Sequence, residues 1–214
     1  MFQNRKDAGL RLANNIAKVW KSDDAVVVGI PRGGVVVANE IAERLSLPLE
    51  LILVKKISHP QNDEVAIGAV SINKIHLDNR EFYDDIWLQN ELKKKRSRIH
   101  EMMNVFGVAA VPAVENKVVI LVDDGVATGY TLLLAFELLR RERPKRIVVA
   151  IPVCPIEFFS ILEKLSDDVY CLEVSSHFQS IGQFYEFFEQ VEDHKVITLL
   201  QENKKARQNR AEKV

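Results

Sequence analysis

The chain has 214 residues, 47% hydrophobic and 28% charged, with a formal net charge of −1. That length buries a full core and implies one domain with an appendage, while the near-zero charge argues against bulk attraction to nucleic acid or anionic lipid. No apolar run approaches membrane-spanning length, the first residues lack a signal peptide's apolar stretch, and Cys154 and Cys171 are too unpatterned for a zinc site or disulfide framework. Reduced thiols in a cytoplasmic protein are expected.

Residues 4–20 place Leu10, Leu12, Ile16, Ala17, Val19 and Trp20 at roughly helical spacing, which predicts an amphipathic helix against the domain. Residues 25–30 read as a buried strand, and Pro31, Arg32, Gly33 and Gly34 lead from it into a helix over 35–45. Glycines between a buried strand and a helix make an anion cradle, here with a guanidinium capable of two-point phosphate contact. The alternative is a tight turn with a surface arginine. A third strand over 49–54 ends at Lys55 and Lys56, which either neutralise an anion or form a solvated pair.

A lid loop is expected over about 57–72, polar and turn-like to residue 66. His59 and Glu64 are its candidates for proton transfer, against the plainer reading of solvated side chains. Short strands are expected at 65–72 and 75–77, then a helix over 80–105 capped by Asn79. Its basic run, 93–98, has flanking acids and no interleaved aromatics, so it reads as a solvated helix face rather than a nucleic-acid patch.

The chain is organised around residues 117–131. An unbroken aliphatic run over 118–122 reads as a strand covered on both faces, and Asp123 and Asp124 end it. Gly125, Val126, Ala127, Thr128, Gly129, Tyr130 and Thr131 follow, then a helix over 132–141. Two glycines, two threonine hydroxyls and a helix amino terminus are the parts of a phosphate pocket. Acids beside a phosphate would repel it, so they instead accept hydrogen bonds from sugar hydroxyls or hold a hydrated divalent cation. The stretch is neither a Walker A loop nor Gly-x-Gly-x-x-Gly. A receiver-type acidic pair would need a third Asp at the end of a later strand, whereas Asp167 and Asp168 precede theirs. An ordinary turn with two solvated acids is the remaining alternative.

Strands over 146–151 and 169–174 flank a turn at 152–155 and a helix over 156–165. Repeated strand-helix-strand units imply an α/β doubly wound parallel sheet with its ligand beyond the carboxyl ends of the strands. The core is expected over about 22–174. Residues 175–190 break the rhythm with an aromatic cluster that is either core filling or a wall for a planar ligand. A short helix from 191 and a frayed charged tail over about 204–214 complete the expectation.

The run Val-Ile-Leu-Val-Asp-Asp-Gly-Val-Ala-Thr-Gly-Tyr-Thr at 119–131 resembles the signature of type I phosphoribosyltransferases. More widely, residues 26–191 resemble a bacterial branch of that family, through Gly-Ile-Pro-Arg-Gly-Gly, Ala-Ile-Gly-Ala-Val and His-Phe-Gln-Ser-Ile-Gly-Gln-Phe-Tyr. The resemblance implies that Asp123 and Asp124 bind the ribose hydroxyls of 5-phosphoribosyl-1-pyrophosphate (PRPP) and hold Mg2+ indirectly, through those hydroxyls or water. It implies that residues 125–131 wrap the 5′-phosphate and that Arg32, Gly33 and Gly34 hold pyrophosphate. Lys55 and Lys56 would share the leaving group's charge, and residues 57–72 would form the catalytic lid. Residues 175–190 would hood the acceptor, with Phe178 and Tyr185 as contacts.

The activity implied is Mg-dependent transfer of the phosphoribosyl group to a nucleobase-like acceptor. Its partners are PRPP and a small molecule, with no nucleic acid, no membrane and homo-oligomer formation as a further expectation. Ala127 stands where the 6-oxopurine enzymes of this superfamily carry a proton-transferring Asp, which argues against hypoxanthine or guanine as acceptor. Two alternatives keep less of the chemistry: a PRPP- or nucleotide-sensing regulator, and a degenerate member that scaffolds a partner.

Overall fold

Asn4 opens the first helix: its side-chain oxygen accepts from the Asp7 N–H at 3.0 Å, and α1 runs Arg5–Ala17. The computed structural model describes residues 1–20, 24–78 and 84–212, with the side chains of residues 63, 64 and 211 outside the description. After α1 come β1 (Ala25–Gly29), α2 (Gly33–Leu45), β2 (Leu49–Leu51), β3 (Lys55–His59), β4 (Asn62–Val70) and β5 (Ile75–Leu77). Then follow α3 (Asp85–Phe106), β6 (Val118–Val122), α4 (Tyr130–Arg141), β7 (Arg146–Pro155), α5 (Ile156–Leu165) and β8 (Asp168–Ser175). A 3-10 turn (Ile181–Phe184) and α6 (Asp193–Ala211) close the chain.

Five strands form a parallel sheet in the order β2-β1-β6-β7-β8. Every residue of β1 and β6 is buried because helices cover both faces. Val27, Ile120, Val122 and Ala150 pack under α1, α2, α3 and α6, while Val26, Val28, Val119, Leu121 and Val149 pack under α4 and α5. A continuous aliphatic run is what such a two-sided environment selects. The chain leaves β1 towards β2 on one side and later returns as β6 on the other, so strand order reverses between β1 and β6. In a sheet of this type the crevice beyond that point is where ligands sit.

Four expectations are corrected. Residues 57–66 are not a loop: β3 and β4 pair antiparallel from Lys55↔Val70 to His59↔Asn62, and β5 adds a third strand. Ile57, Ile67 and Val70 bury against Leu92 of α3, so apolar contacts order a segment whose tip alone is polar. Lys55 and Lys56 accordingly open β3 rather than close β2. Residues 152–155 are not a turn, since β7 runs on to Pro155 against β8. Beyond Ala150 it has no register with β6, and a proline is tolerated in a strand paired on one side.

The tail is also ordered: α6 continues well past residue 204 because Val196 and Leu199 join the core. Asn203 fixes it further, donating to the Leu47 carbonyl and accepting from the Leu49 N–H, both at 3.1 Å. The expected Asn79 cap lies outside the described residues; Asp84 caps α3, accepting from the Trp87 N–H at 2.8 Å.

Candidate functional site

Gly29 and Val122 are register partners at the ends of β1 and β6, so the turns after them leave the sheet side by side. A Cβ on Gly34 would lie 2.8 Å from Asp123 Cα, and one on Gly33 would lie 1.9 Å from Asp124 Oδ2. The glycines are therefore needed because the acidic pair sits where side chains would otherwise be. The Pro31–Arg32 peptide is cis.

Asp124 is buried and forms an ion pair with Arg5 of α1, Nε to Oδ2 at 2.6 Å. The same guanidinium donates to the Glu189 carbonyl at 2.6 Å and lies 3.8 Å over the Phe188 ring. Asp123 accepts from the Asp124 N–H at 2.9 Å, yet burial, and then the charge on Asp124, push its carboxyl well above the usual range. Asp123 thus resists ionising unless a further cation or hydroxyl donor joins it.

A cavity of about 200 Å³ opens beside the acids. Asp123, Asp124, Gly125, Val126, Ala127, Thr128, Gly129 and Thr131 line it, joined by Lys56 and Ala66 of the hairpin and by Ile181. The loop is pinned from behind by the Val126 N–H, which donates to the Val153 carbonyl at 3.0 Å. Gly129 begins α4 at φ 79°, and a Cβ there would lie 1.9 Å from Phe158 Cε2. No side chain caps the amino termini of α2 or α4, as is also true of α5 and α6, whereas Asn4 and Asp84 cap α1 and α3. The free ends of α2 and α4 are the ones that follow the two glycine turns at the crevice, as an anion site requires.

Tyr130 departs from the expected cradle. Its hydroxyl donates to Asp78 at 2.6 Å and its ring lies 5.9 Å from that of His76, so the side chain ties α4 to the β3–β5 ribbon. Tyr185 and Phe178 depart likewise, since neither lines the cavity. Tyr185 is buried against Phe2 and Phe188 and donates to the Asp124 carbonyl at 2.6 Å; burial pushes its phenol up. Phe178 packs on Phe184 at 5.5 Å. The hood residue over the pocket is Ile181, a plain aliphatic that no sequence signal singled out. Phe2 and Gln3 exchange backbone hydrogen bonds with residues 184, 186 and 187, so the amino-terminal segment holds the hood in place.

The two lysines diverge because neighbours on a strand face opposite ways. Lys56 borders the cavity, while Lys55 is partly buried beside Arg32 and Arg98. Burial first, and then those guanidinium charges, lower the Lys55 pKa to about 8. Arg32 and Arg98 both approach Asp193 at the start of α6, at 3.5 and 2.9 Å. Arg98, read from sequence as part of a solvated face, thus joins the group around the 31–34 loop. His59 stands at the hairpin tip, its Nδ1 accepting from the Gln61 N–H at 3.1 Å. The Glu64 side chain lies outside the described residues.

A parallel α/β sheet with two glycine turns side by side at its switch point, one carrying an acidic pair, defines an α/β protein with its ligand crevice beyond the carboxyl ends of β1 and β6. The phosphoribosyl transferase domain model matches residues 2–187, and the chain belongs to the phosphoribosyltransferase family. Among solved structures it is similar to TT1426 of Thermus thermophilus, at 36% identity and a TM-score of 0.75 over 94% of this chain and 98% of that one. It is 30% identical over 212 residues to a Mycobacterium tuberculosis protein named provisionally as a phosphoribosyl transferase. That match covers 94% of this chain and 46% of the relative, so the chain spans about half the relative's length. A shorter match, 32% over 143 residues, joins it to the bifunctional protein PyrR of Clostridium acetobutylicum, covering 66% of this chain and 64% of that protein. Among the described residues no helix is long and apolar enough to cross a membrane.

Proposed function

We propose that the chain transfers the 5-phosphoribosyl group of PRPP to a nitrogenous, nucleobase-like acceptor and releases pyrophosphate. The observation that carries this reading is the direct packing of Gly33 and Gly34 against Asp124 and Asp123, which joins a leaving-group cradle to a ribose cradle without a gap. Asp123 and Asp124 orient the ribose hydroxyls, residues 125–131 hold the 5′-phosphate through backbone N–H groups and threonine hydroxyls, and Arg32, with the lysines, neutralises the pyrophosphate. As the C1′ bond breaks the sugar becomes oxocarbenium-like, so catalysis consists of holding it, stabilising the departing anion and excluding water. The β3–β4 hairpin is placed to do the last, since Lys56 and Ala66 already border the cavity.

Among the described residues no group of three His, Cys, Asp or Glu side chains is gathered to hold a metal. Two adjacent carboxylates fit Mg2+ held mainly by substrate oxygens and water. When bound, the ion supplies charge neutralisation on the diphosphate. Asp123 and Asp124 are the residues that would hold it. The reading includes a cytoplasmic location, with which two cysteines that form no disulfide, Cys154 and Cys171, accord.

The test is turnover. Purified chain with Mg2+ and PRPP is offered a panel of bases, and pyrophosphate release is measured beside an Asp123→Asn, Asp124→Asn control. Release with one base, lost in the control, supports the reading. PRPP binding without release from any base leaves a PRPP-sensing regulator, and absence of binding overturns the assignment.

A further inference from the structure

Arg32 of the 31–34 loop, Lys55 of β3 and Arg98 of α3 come together from three separate elements. The neighbouring Lys95 is already paired with Glu91 at 3.0 Å. The carboxylate among the three is Asp193, whose Oδ1 lies 3.5 Å from Arg32 Nη1 and whose Oδ2 lies 2.9 Å from Arg98 Nη2. Oδ1 is enclosed, yet it has no hydrogen-bond partner. A carboxylate oxygen in that condition is poorly satisfied, and it leaves surplus positive charge that is costly in a partly desolvated place. A diphosphate, with more charge and several acceptor oxygens, answers both deficits.

We propose that Asp193 is a built-in stand-in for the leaving group: it holds the loop's cations in the ligand-free chain, an entering diphosphate displaces it, and Arg98 is a further cation of that site. This inference rests on the reading of residues 31–34 as the pyrophosphate loop and adds two residues that the family signature does not contain. Displacement is mechanically local. Asp193 is the first residue of α6, no side chain caps that end, and the helix is anchored from Val196 onward by core contacts and by Asn203. The first turn can therefore yield while the rest stays docked. Arg98 keeps a second partner when Asp193 leaves, because its Nη1 pairs with Glu101 at 2.9 Å. Occupancy of the diphosphate site is thereby coupled to the carboxyl-terminal helix.

The experiment is titration calorimetry of the full chain with inorganic pyrophosphate, and with ribose 5-phosphate as a probe of the other loop. Asp193→Asn should bind pyrophosphate about tenfold more tightly than wild type and Arg98→Gln about tenfold more weakly. Ribose 5-phosphate affinity should change less than twofold in both. If Asp193→Asn binds pyrophosphate no better, or Arg98→Gln binds it equally well, the inference fails while the loop's assignment stands. If wild type binds neither pyrophosphate nor PRPP, the loop's assignment fails first. A measurement on wild type alone avoids any folding defect in the variants: amide exchange over residues 191–196 should accelerate when pyrophosphate is added, and unchanged exchange would also overturn the proposal.

Discussion

Arg5 and Asp124 lie 119 residues apart in sequence and 2.6 Å apart in the fold, and their ion pair closes the acidic half of the site. Both side chains are almost enclosed, 12% and 13% exposed, so neither charge is well solvated. Replacing Arg5 by Gln leaves a buried carboxylate facing Asp123, whose carboxyl is already driven towards its neutral form. Loss of one partner from such a pair should cost about 2 kcal/mol, or a melting temperature roughly 5 °C lower for a chain of this size. Saturating Mg-PRPP should recover part of the deficit, because the ligand binds the folded state and supplies new partners to Asp124. Thermal denaturation of Arg5→Gln with and without ligand measures both; an equal deficit in the two conditions would separate Arg5 from the ribose site.

The two glycines of the 31–34 loop should respond differently to the same change. At Gly34 an added methyl meets the Asp123 backbone at 2.8 Å, and the sheet holds that backbone rigid, so Gly34→Ala should destabilise the fold by about 2 kcal/mol. At Gly33 the nearest atoms belong to the enclosed Arg5–Asp124 ion pair, so an added methyl forces that pair apart rather than the sheet backbone. Gly33→Ala should therefore lose about as much stability as Arg5→Gln, about 2 kcal/mol, and unlike Gly34→Ala should also lose more than tenfold in PRPP affinity, as the displaced Asp124 no longer faces the ribose. Denaturant titration and calorimetry on the two variants check the contrast.

What the sequence revealed, and what it concealed, divides by the range of the interactions. The aliphatic run at Val118–Val122 and the helices after Gly33 and Gly129 rest on local pattern, and their positions agree with the structure to within two residues. The acidic pair and both glycine turns were legible for the same reason. Arg5, Arg98, Asp193 and Ile181 were not, because nothing within a few residues of them marks a site; α1, α3, α6 and the hood bring them in. The side chain of Tyr130 shows the opposite limit. Its place inside a recognised motif suggested a phosphate contact, and only the β4–β5 ribbon packed alongside shows where its hydroxyl goes. Residues 57–66 read as a polar loop, although strands after them were legible, because the packing of Ile57 and of the ribbon it pairs with makes sense only against Leu92 of α3.

Lys55 makes the diphosphate site sensitive to alkali. With a pKa lowered to about 8, it carries a full charge at pH 7 and little at pH 9. Pyrophosphate affinity should therefore fall about tenfold over that interval, and the fall should be smaller in Lys55→Met. Fold stability runs the other way. Between about pH 8 and the ordinary lysine value near 10.4 the unfolded chain holds a proton that the folded chain has lost, so this lysine's contribution to stability rises with pH across that window. Its destabilising effect is fully present below pH 8. Calorimetry at stepped pH, beside denaturation curves for wild type and Lys55→Met, tests both signs.

Tyr130 separates the phosphate loop from the ribbon that covers it. Its hydroxyl is bonded to Asp78 at 2.6 Å, away from the cavity, while the neighbouring Thr131 faces inward. Tyr130→Phe keeps the ring beside His76 and removes one hydrogen bond, which should cost about 1 kcal/mol of stability. Ribose 5-phosphate affinity should stay within twofold of wild type, since no group that faces the 5′-phosphate is altered. Thr131→Val, which leaves the ribbon contact intact, should show the reverse: nearly unchanged stability and at least a fivefold loss of ribose 5-phosphate affinity. Should Tyr130→Phe instead abolish sugar-phosphate binding, the hydroxyl must turn into the cavity when ligand arrives, and the ribbon contact would be a feature of the ligand-free chain alone.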